Sequence, residues 1–318
     1  MNQMAIAIVN YNTRDALDTC LESVVREGAG EVLVVDNGST DGSVEMVRSR
    51  YPHVRVEVDP TNPGYGAAAN RAMALTKEPY LLVLNSDTVL VPGSVEALAR
   101  HLDTHPGVAI VGPRTHNADG SLQPSCFPFP HPLRTLAGGI GVESLIRRVP
   151  GVRSMNVRTW AHDAVRPVPW VLGAALALRR SAVEELGGFS EDYFMYMEET
   201  DLCYRAHLAG WETHFTPAAT IVHTGGVSTE QMRVQMRLQY YRSLIRFHAR
   251  HGSRARVHMI KGVLRGGAMV KLLRDRIRLL ATSEAGKRKR LEQDVEAWGQ
   301  VVRRGWAAVE DAGVKRSV

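Results

Sequence analysis

The stretch "YLLVLNSDTVLVPG", residues 80–93, decides how the chain is read. Tyr80 to Leu84 form an apolar run of strand length, which enters Asn85-Ser86-Asp87 before the chain turns at Pro92-Gly93. A carboxylate at the mouth of a buried strand is costly unless something positive meets it. Asp87 is therefore a candidate ligand for a hard divalent cation, which takes one or two carboxylates and leaves positions for phosphate oxygens. A helix or turn cap is the other reading of the same residue.

The surrounding chain repeats the pattern. "MAIAIV" (4–9), "EVLVVDNGS" (31–39) and "VRVEV" (54–58) are strand-like, and helical spacing follows at 14–27, 41–50 and 66–76. Strands alternating with helices predict an α/β domain with a mainly parallel sheet. Ligands of such sheets sit at the carboxyl ends of strands. Asn10, Asp36 and Asp87 each stand at such an end. The proline-rich "QPSCFPFPHP" (123–132) predicts a long loop over 113–169, and order returns with a strand in "VPWVLGAALALRR" (168–180). "YFMYMEETDLCYRAHLAGW" (193–211) turns helical near Glu199, "ATIVHTGG" (219–226) is a short strand ending at His223, and everything beyond about 231 reads as helix.

The chain has 318 residues, 44% hydrophobic and 23% charged, as a soluble globular protein has. Its three cysteines are odd in number and form no CxxC pair, which fits a reducing compartment rather than a disulfide framework. No basic leader followed by an apolar core opens the sequence, and no apolar run reaches the roughly 18 residues that would span a bilayer. A cytoplasmic protein is expected. The net charge of +6 is concentrated in the last third, which points to a polyanionic partner.

Each candidate residue has two readings. Asp36 either closes an Asx-turn or accepts hydrogen bonds from a base or ribose edge. Gly64-x-Gly66-x-x-Ala69 fits the dinucleotide fingerprint, with Asp87 about 20 residues on. That loop normally follows the first strand, whereas two strand–helix units precede it here, so NAD is not expected. Glu198, Glu199 and Asp201 open a helix, where acids favour the dipole; beside "YFMYM" they also form an apolar-walled acidic pocket suited to a general base. His223 is either a core or surface histidine or an imidazole ligand that completes a metal site.

Together these residues resemble inverting glycosyltransferase family two, on the GT-A fold, over roughly 4–230. The resemblance is carried by "IVNYNT", "VVDNGSTDGS", "NPGYGAAANRA", "LNSD", "GGFSEDYFMYMEETDLCYRAHLAGW" and "HTGG", in the family's order. It is nearest the rhamnosyltransferase branch, which includes enzymes that add L-rhamnose from dTDP-rhamnose to lipid-linked sugars in cell-wall assembly. It implies that Asn10, Tyr11, Asn12 and Asp36 line the base and ribose, that Asn62, Gly66 and Asn70 shape the same wall, and that Asn85, Ser86 and Asp87 follow the donor toward its phosphates. Asp87 matches the last acid of the DxD motif and so the ligand of a divalent cation, Mg²⁺ or Mn²⁺; the first acid is Asn85 here, which removes one charge. His223 becomes the additional metal or diphosphate contact. Glu199 falls on the catalytic base, ahead of Asp201. The sugar and acceptor side is expected from Trp170, Gly173, Ala174 and Glu198, together with the loop at 120–165.

The domains expected are a catalytic unit at 1–230 and a basic helical extension at 231–318. Over 257–281 apolar residues interleave with Lys261, Arg265, Lys271, Arg274, Arg276 and Arg278, and "KRKR" follows at 287–290. The segment reads either as an interfacial helix for anionic lipid on the inner face of the cytoplasmic membrane or as a helix packed on the catalytic unit or on a second subunit of a homodimer. No binding motif accompanies the charge, so nucleic acid is not expected. The expected partners are a dTDP- or UDP-sugar and a glycan, lipid-linked or small-molecule acceptor. Two other functions share the pattern. A sugar-nucleotide nucleotidyltransferase needs an N-terminal glycine-rich loop, which "VNYNTRDAL" lacks, and a non-catalytic nucleotide-sugar-binding module would release no nucleoside diphosphate.

Overall fold

A computed structural model describes residues 4–28, 30–132, 134–135, 160–225 and 233–306. The first half alternates as expected: β1 (Met4–Asn10), α1 (Arg14–Arg26), β2 (Val32–Asp36), α2 (Ser43–Arg50), β3 (Arg55–Val58), α3 (Tyr65–Leu75), β4 (Tyr80–Asn85) and β5 (Thr88–Leu90). Then come α4 (Ser94–Thr104), β6 (Val108–His116), β7 (Leu122–Gln123), β8 (Cys126–Phe127), β9 (Arg166–Pro167), β10 (Trp170–Val171), β11 (Ala175–Arg179), α5 (Arg180–Glu185), α6 (Glu198–Leu208) and β12 (Glu212–His223). Three helices finish the described chain: α7 (Arg233–Arg250), α8 (Arg254–Ala281) and α9 (Ala285–Arg304).

The main sheet runs β3-β2-β1-β4-β11-β6-β12-β5. β3, β2, β1 and β4 are parallel, β11 is antiparallel to both its neighbours, and β12 is parallel to β6. Alternation along each strand feeds two cores. Ile6, Ile8, Leu82 and Leu84 pack with Leu17, Leu21 and Val24 of α1 on one face. Ala5, Ala7, Leu81 and Val83 meet Ala68, Ala69 and Ala72 of α3 and Leu202 of α6 on the other. Strands covered on both faces read as continuous apolar runs, the signature that residues 80–84 carry. The chain leaves β1 to one side for β2 and returns to its other side at β4, so a crevice opens at the carboxyl ends of β1 and β4.

The structure refines several expectations. β12 is longer than the strand expected at 219–226, and the strand expected across 168–180 is broken at Leu172-Gly173-Ala174 into β10 and β11. The loop expected over 113–169 contains β7, β8 and β9, while its residues 136–159 lie outside the described residues. The boundary expected at 230/231 also lies outside them. α7, α8 and α9 share a core of Leu238, Phe247, Ile260, Leu264, Trp298 and Val301, and Tyr193 and Met197 from the segment before α6 join it.

Gly64, at the start of α3, has φ 102°, and a methyl group there would overlap the carbonyl of Phe194. The Tyr65 amide donates to that same carbonyl at 3.2 Å. Gly64→Ala is expected to lose roughly 1–3 kcal/mol of stability, the cost of a strained backbone position, read as a lower urea midpoint. An unchanged midpoint would show that the 64/194 approach is not a constraint.

Candidate active site

The crevice is a cleft of about 240 Å³, and three walls line it. The ends of β1 and β4 give Asn10, Tyr11, Asn85, Ser86 and Asp87; the turn before α3 gives Asn62, Gly64 and Tyr65; the β10–β11 break and the start of α6 give Gly173, Ala174, Glu198 and Glu199. His223 reaches it from the end of β12, because β5 and β12 are antiparallel with His223 opposite Thr88. Asp87 and Glu199, 112 positions apart by their numbers, therefore line the same cleft.

Asp87 is mostly buried and meets His223, whose Nε2 lies 3.2 Å from its Oδ1. The backbone amide of Thr224 donates to the Asp87 carbonyl at 3.1 Å, locking strand end to strand end. The other imidazole nitrogen, Nδ1, lies 2.9 Å from Gln123 Oε1. Gln123 Nε2 donates to Asn117 Oδ1 at 2.8 Å, and Asn117 Nδ2 donates to Ser121 Oγ at 2.8 Å, so the amide oxygen of Gln123 is the atom left for the ring. This chain assigns the proton to Nδ1 and leaves Nε2 with its lone pair toward a carboxylate. Two electron-rich atoms at that separation need a cation between them or a proton on the ring. A carboxylate and an imidazole whose second nitrogen is held by an outer partner form a fitting donor pair for a divalent ion.

The second carboxylate group is tuned differently. α6 begins after Tyr196 (φ 66°) and Met197 (φ 71°), two non-glycine residues in the left-handed region. Helix α7 pins this segment: Ser243 Oγ donates to the Met195 carbonyl at 2.7 Å. Glu198 and Glu199 are both buried, and each keeps one oxygen with no hydrogen-bond partner among the described residues. Burial raises the Glu199 carboxyl above its ordinary range, opposed by nearby backbone amides that include those of Thr200 and Gly173. Burial raises Glu198 much further, helped by the negative charge of Glu199. The two carboxyls titrate as a pair, and burial raises both. Tyr65 donates its hydroxyl to the Gly173 carbonyl at 2.8 Å and closes the wall beside them.

Other residues expected in the site are placed elsewhere. Asp201 does not line the cleft: it is fully buried, and its carboxylate is 2.7 Å from Arg205 Nε and 2.7 Å from His251 Nε2. Two positions along a helix point to different faces, so Glu199 and Asp201 cannot share a role. Asp36 is also filled internally, accepting from Asn10 Nδ2 (2.7 Å), the Ser39 amide (2.7 Å) and Ser39 Oγ (2.7 Å), which is the Asx-turn reading. Through Asn10 it shapes the cleft, and Asn37 beside it lines the wall. Asn12 accepts from the Thr40 amide at 2.8 Å, Asn70 ties α3 to Phe189, and Trp170 stacks on Phe127. Gly66 allows α3 to approach Phe189 and Glu198. These four support the walls without lining them.

Gln123 and Met236 of α7 carry no motif, while Asn37 and Tyr65 lie within "VVDNGSTDGS" and "NPGYGAAANRA" without being singled out. A separate histidine group, His101, His105 and His214, offers ring nitrogens within 4.8 Å of one another. It lies toward the opposite end of β12 from His223 and is bonded internally, His101 Nε2 to His214 Nδ1 at 3.1 Å and His214 Nε2 to Glu212 at 2.7 Å.

Comparisons with known proteins give the family and the fold. The family model described as Glycosyl transferase family 2 matches residues 5–141, and that described as Glycosyl transferase family group 2 matches 151–283. The chain is 34% identical over 241 residues to an N-acetylglucosaminyl-diphospho-decaprenol L-rhamnosyltransferase of Mycobacterium tuberculosis, covering 71% of this chain and 77% of the relative. It is 25% identical over 248 residues to a low-salt glycan biosynthesis hexosyltransferase of Haloferax volcanii, covering 76% and 73%. Among solved structures, a mannosyltransferase from Pyrobaculum calidifontis in complex with GDP-Man and Mn²⁺ superposes with a TM-score of 0.54 at 16% identity, over 99% of this chain and 86% of that one. The chain belongs to glycosyltransferase family 2, in its rhamnosyltransferase-like branch, and is a nucleotide-sugar-dependent glycosyltransferase on the GT-A fold.

Proposed function

We propose that the protein moves L-rhamnose from dTDP-rhamnose to a hydroxyl of a lipid-linked diphosphosugar, with inversion and in one displacement. The observation that carries this reading is the shared cleft of Asp87 and Glu199; the donor and acceptor classes follow the rhamnosyltransferase relative. Asn10, Tyr11, Asn37 and Asn62 offer a polar wall for base and ribose. Glu199 takes the proton from the attacking hydroxyl, and the apolar surroundings that raise its pKa suit it to that work near neutral pH. In this reading Glu198 keeps its proton, so that it adds no second negative charge beside the developing cationic sugar ring and Glu199 is the base of the pair.

Glu199→Gln is expected to keep donor binding and to lose turnover by about 10²–10⁴-fold, the usual contribution of a general base, measured as dTDP release. Turnover near wild type would remove Glu199 from the mechanism. Because the Glu199 pKa is raised, activity should fall as pH drops through that raised value, where the base becomes protonated. Glu198→Gln preserves the neutral state and should leave both turnover and this acid limb nearly unmoved; a large shift of the limb would mean that Glu198 is ionised in the working enzyme.

Asp87 and His223 would hold the divalent ion, with Gln123 orienting His223. A mixed carboxylate–imidazole pair suits Mn²⁺ better than Mg²⁺, which prefers oxygen ligands. The Mn²⁺ in the Pyrobaculum calidifontis mannosyltransferase structure supports this choice. When bound, the ion supplies Lewis-acid stabilisation of the departing diphosphate. Gln123→Ala should weaken Mn²⁺ binding about 10–100-fold, as the loss of an outer partner does, by calorimetry with dTDP present, and Asp87→Ala should abolish it. Unchanged Mn²⁺ affinity in Asp87→Ala would place the ion elsewhere.

No helix among the described residues is long and apolar enough to cross a membrane. α8 packs Ile260, Leu264 and Ala268 inward and leaves Met269, Val270, Leu273, Ile277 and Leu280 exposed. With the arginines of the same helix, this outer face suits contact with an anionic bilayer, where a lipid-linked acceptor resides. Leu273→Glu with Ile277→Glu should prevent flotation with anionic liposomes. Flotation that is unaltered by these changes, or concentration-dependent self-association that masks the stripe, would overturn membrane docking.

A further inference from the structure

A second pocket, of about 360 Å³, adjoins the cleft, and Tyr196 and Met236 line both. Its walls are helical: Arg233, Arg237 and Tyr241 of α7, Lys271 of α8 and Trp298 of α9. Arg233 reaches Asp294 through Nε at 2.9 Å, and Arg237 reaches the same carboxylate through Nε at 2.6 Å and Nη2 at 2.9 Å. Two guanidiniums thus share one carboxylate, and Lys271 adds a third cation. The nearby Asp275 adds little, because Arg274 Nε and Trp298 Nε1 already bond it at 2.8 Å and 3.1 Å.

Lys271 is the least satisfied of the three. Its ammonium lies over the Trp298 ring at 4.9 Å and the Tyr241 ring at 5.9 Å, and its hydrogen bond to Tyr241 Oη is long, at 3.5 Å. An ammonium carries three donors, and among the described residues no carboxylate pairs with this one. Burial lowers its pKa, and the charges of Arg237 and Arg274 add to the effect. A half-buried cation held among like charges gains most from an anion that brings several acceptor oxygens.

We propose that this pocket binds the diphosphate of the acceptor, with Lys271 and Arg237 as its donors, so that the sugar carried on that diphosphate enters the adjoining cleft toward Glu199. The proposal rests on the acceptor class given under Proposed function. Two further features fit it. Tyr196, at the junction, stands two residues before Glu198 on the segment that starts the catalytic helix. Val270, which precedes Lys271 on α8, is 50% exposed, so apolar surface begins one residue from the pocket wall.

The test uses two acceptors with the same sugar, a short-chain prenyl diphospho-N-acetylglucosamine and the uncharged octyl N-acetylglucosaminide. Lys271→Gln should raise KM for the diphosphate acceptor by about 10–100-fold, the worth of a charge-assisted hydrogen bond, and leave KM for the octyl glycoside and for the donor unchanged. Lys271→Arg should recover most of the loss. An equal rise for both acceptors, or none for either, would overturn the proposal. A separate binding arm needs no transfer: with the donor site filled by dTDP and Mn²⁺, inorganic pyrophosphate should raise the melting temperature of the wild type and not that of Lys271→Gln. A pyrophosphate shift without any rhamnosyl transfer would leave the anion pocket standing while removing the proposed donor and acceptor; a shift that persists in Lys271→Gln would remove the pocket.

Discussion

Asp87 and Glu199 face one cleft, each held away from bulk water, and a buried carboxylate needs either a partner or a proton. The fold meets this by giving them different surroundings. Asp87 sits at a strand end with its Oδ1 3.2 Å from His223 Nε2. Glu199 sits among buried groups with no ion pair among the described residues, so its proton affinity rises instead. Unlike environments for like groups are the means by which one site keeps an electrostatic stabiliser and a base at the same pH. Every other feature of the catalytic half serves that separation: the parallel β1–β4 pair that sets Asp87, the antiparallel β5–β12 pair that delivers His223, and the broken β10–β11 segment that lets Gly173 approach Glu199 within 3.6 Å of where a Cβ would lie.

Much of this was legible because period and polarity change together where function begins. An apolar run that stops at "NSD" says both that a strand is buried and that its end is polar, and the family resemblance then assigns the roles. The legibility failed where a residue acts through its neighbours. Gln123 belongs to a two-residue strand in a proline-rich stretch, and only the fold shows that its amide meets a ring 100 positions away. Asp36 is equally consistent with a turn and with a ribose contact until its acceptors are counted, and they are filled. Asp201 and Glu199 look alike in sequence, although helical geometry alone separates their faces. No strand is assigned at 108–116 from sequence; Pro113 sits inside "VAIVGPRTH" there, where proline is unusual in a strand, and the irregular register of β12 against β6 accommodates it.

The C-terminal helices were expected as an extension and are more than that. Tyr196 and Met197 occupy a backbone region that costs on the order of 1–3 kcal/mol per residue, and the start of α6 depends on both. The compensation comes largely from α7 and the turn after it: Ser243 bonds the Met195 carbonyl, Arg246 bonds the Asp192 carbonyl, Arg250 reaches Ser190 Oγ at 2.6 Å, and His251 reaches Asp201 at 2.7 Å. Tyr193 and Met197 complete the arrangement by entering the helical core. Glu199 is thus positioned from both sides, by the wall that carries Gly173 and by the helices through the strained segment.

That arrangement has a consequence for how acceptor and catalysis are joined. The same helix that pins residue 195 lines both the cleft, through Met236, and the basic pocket, through Arg237. The two pockets therefore share one wall element, and that element is hydrogen-bonded to the segment from which Glu199 projects. The distinction between a catalytic domain and an appended helical region is therefore weaker in the packing than in the sequence. The segment that precedes Glu199 is held by helices that lie after residue 232, and one of them also reaches the cleft directly through Met236.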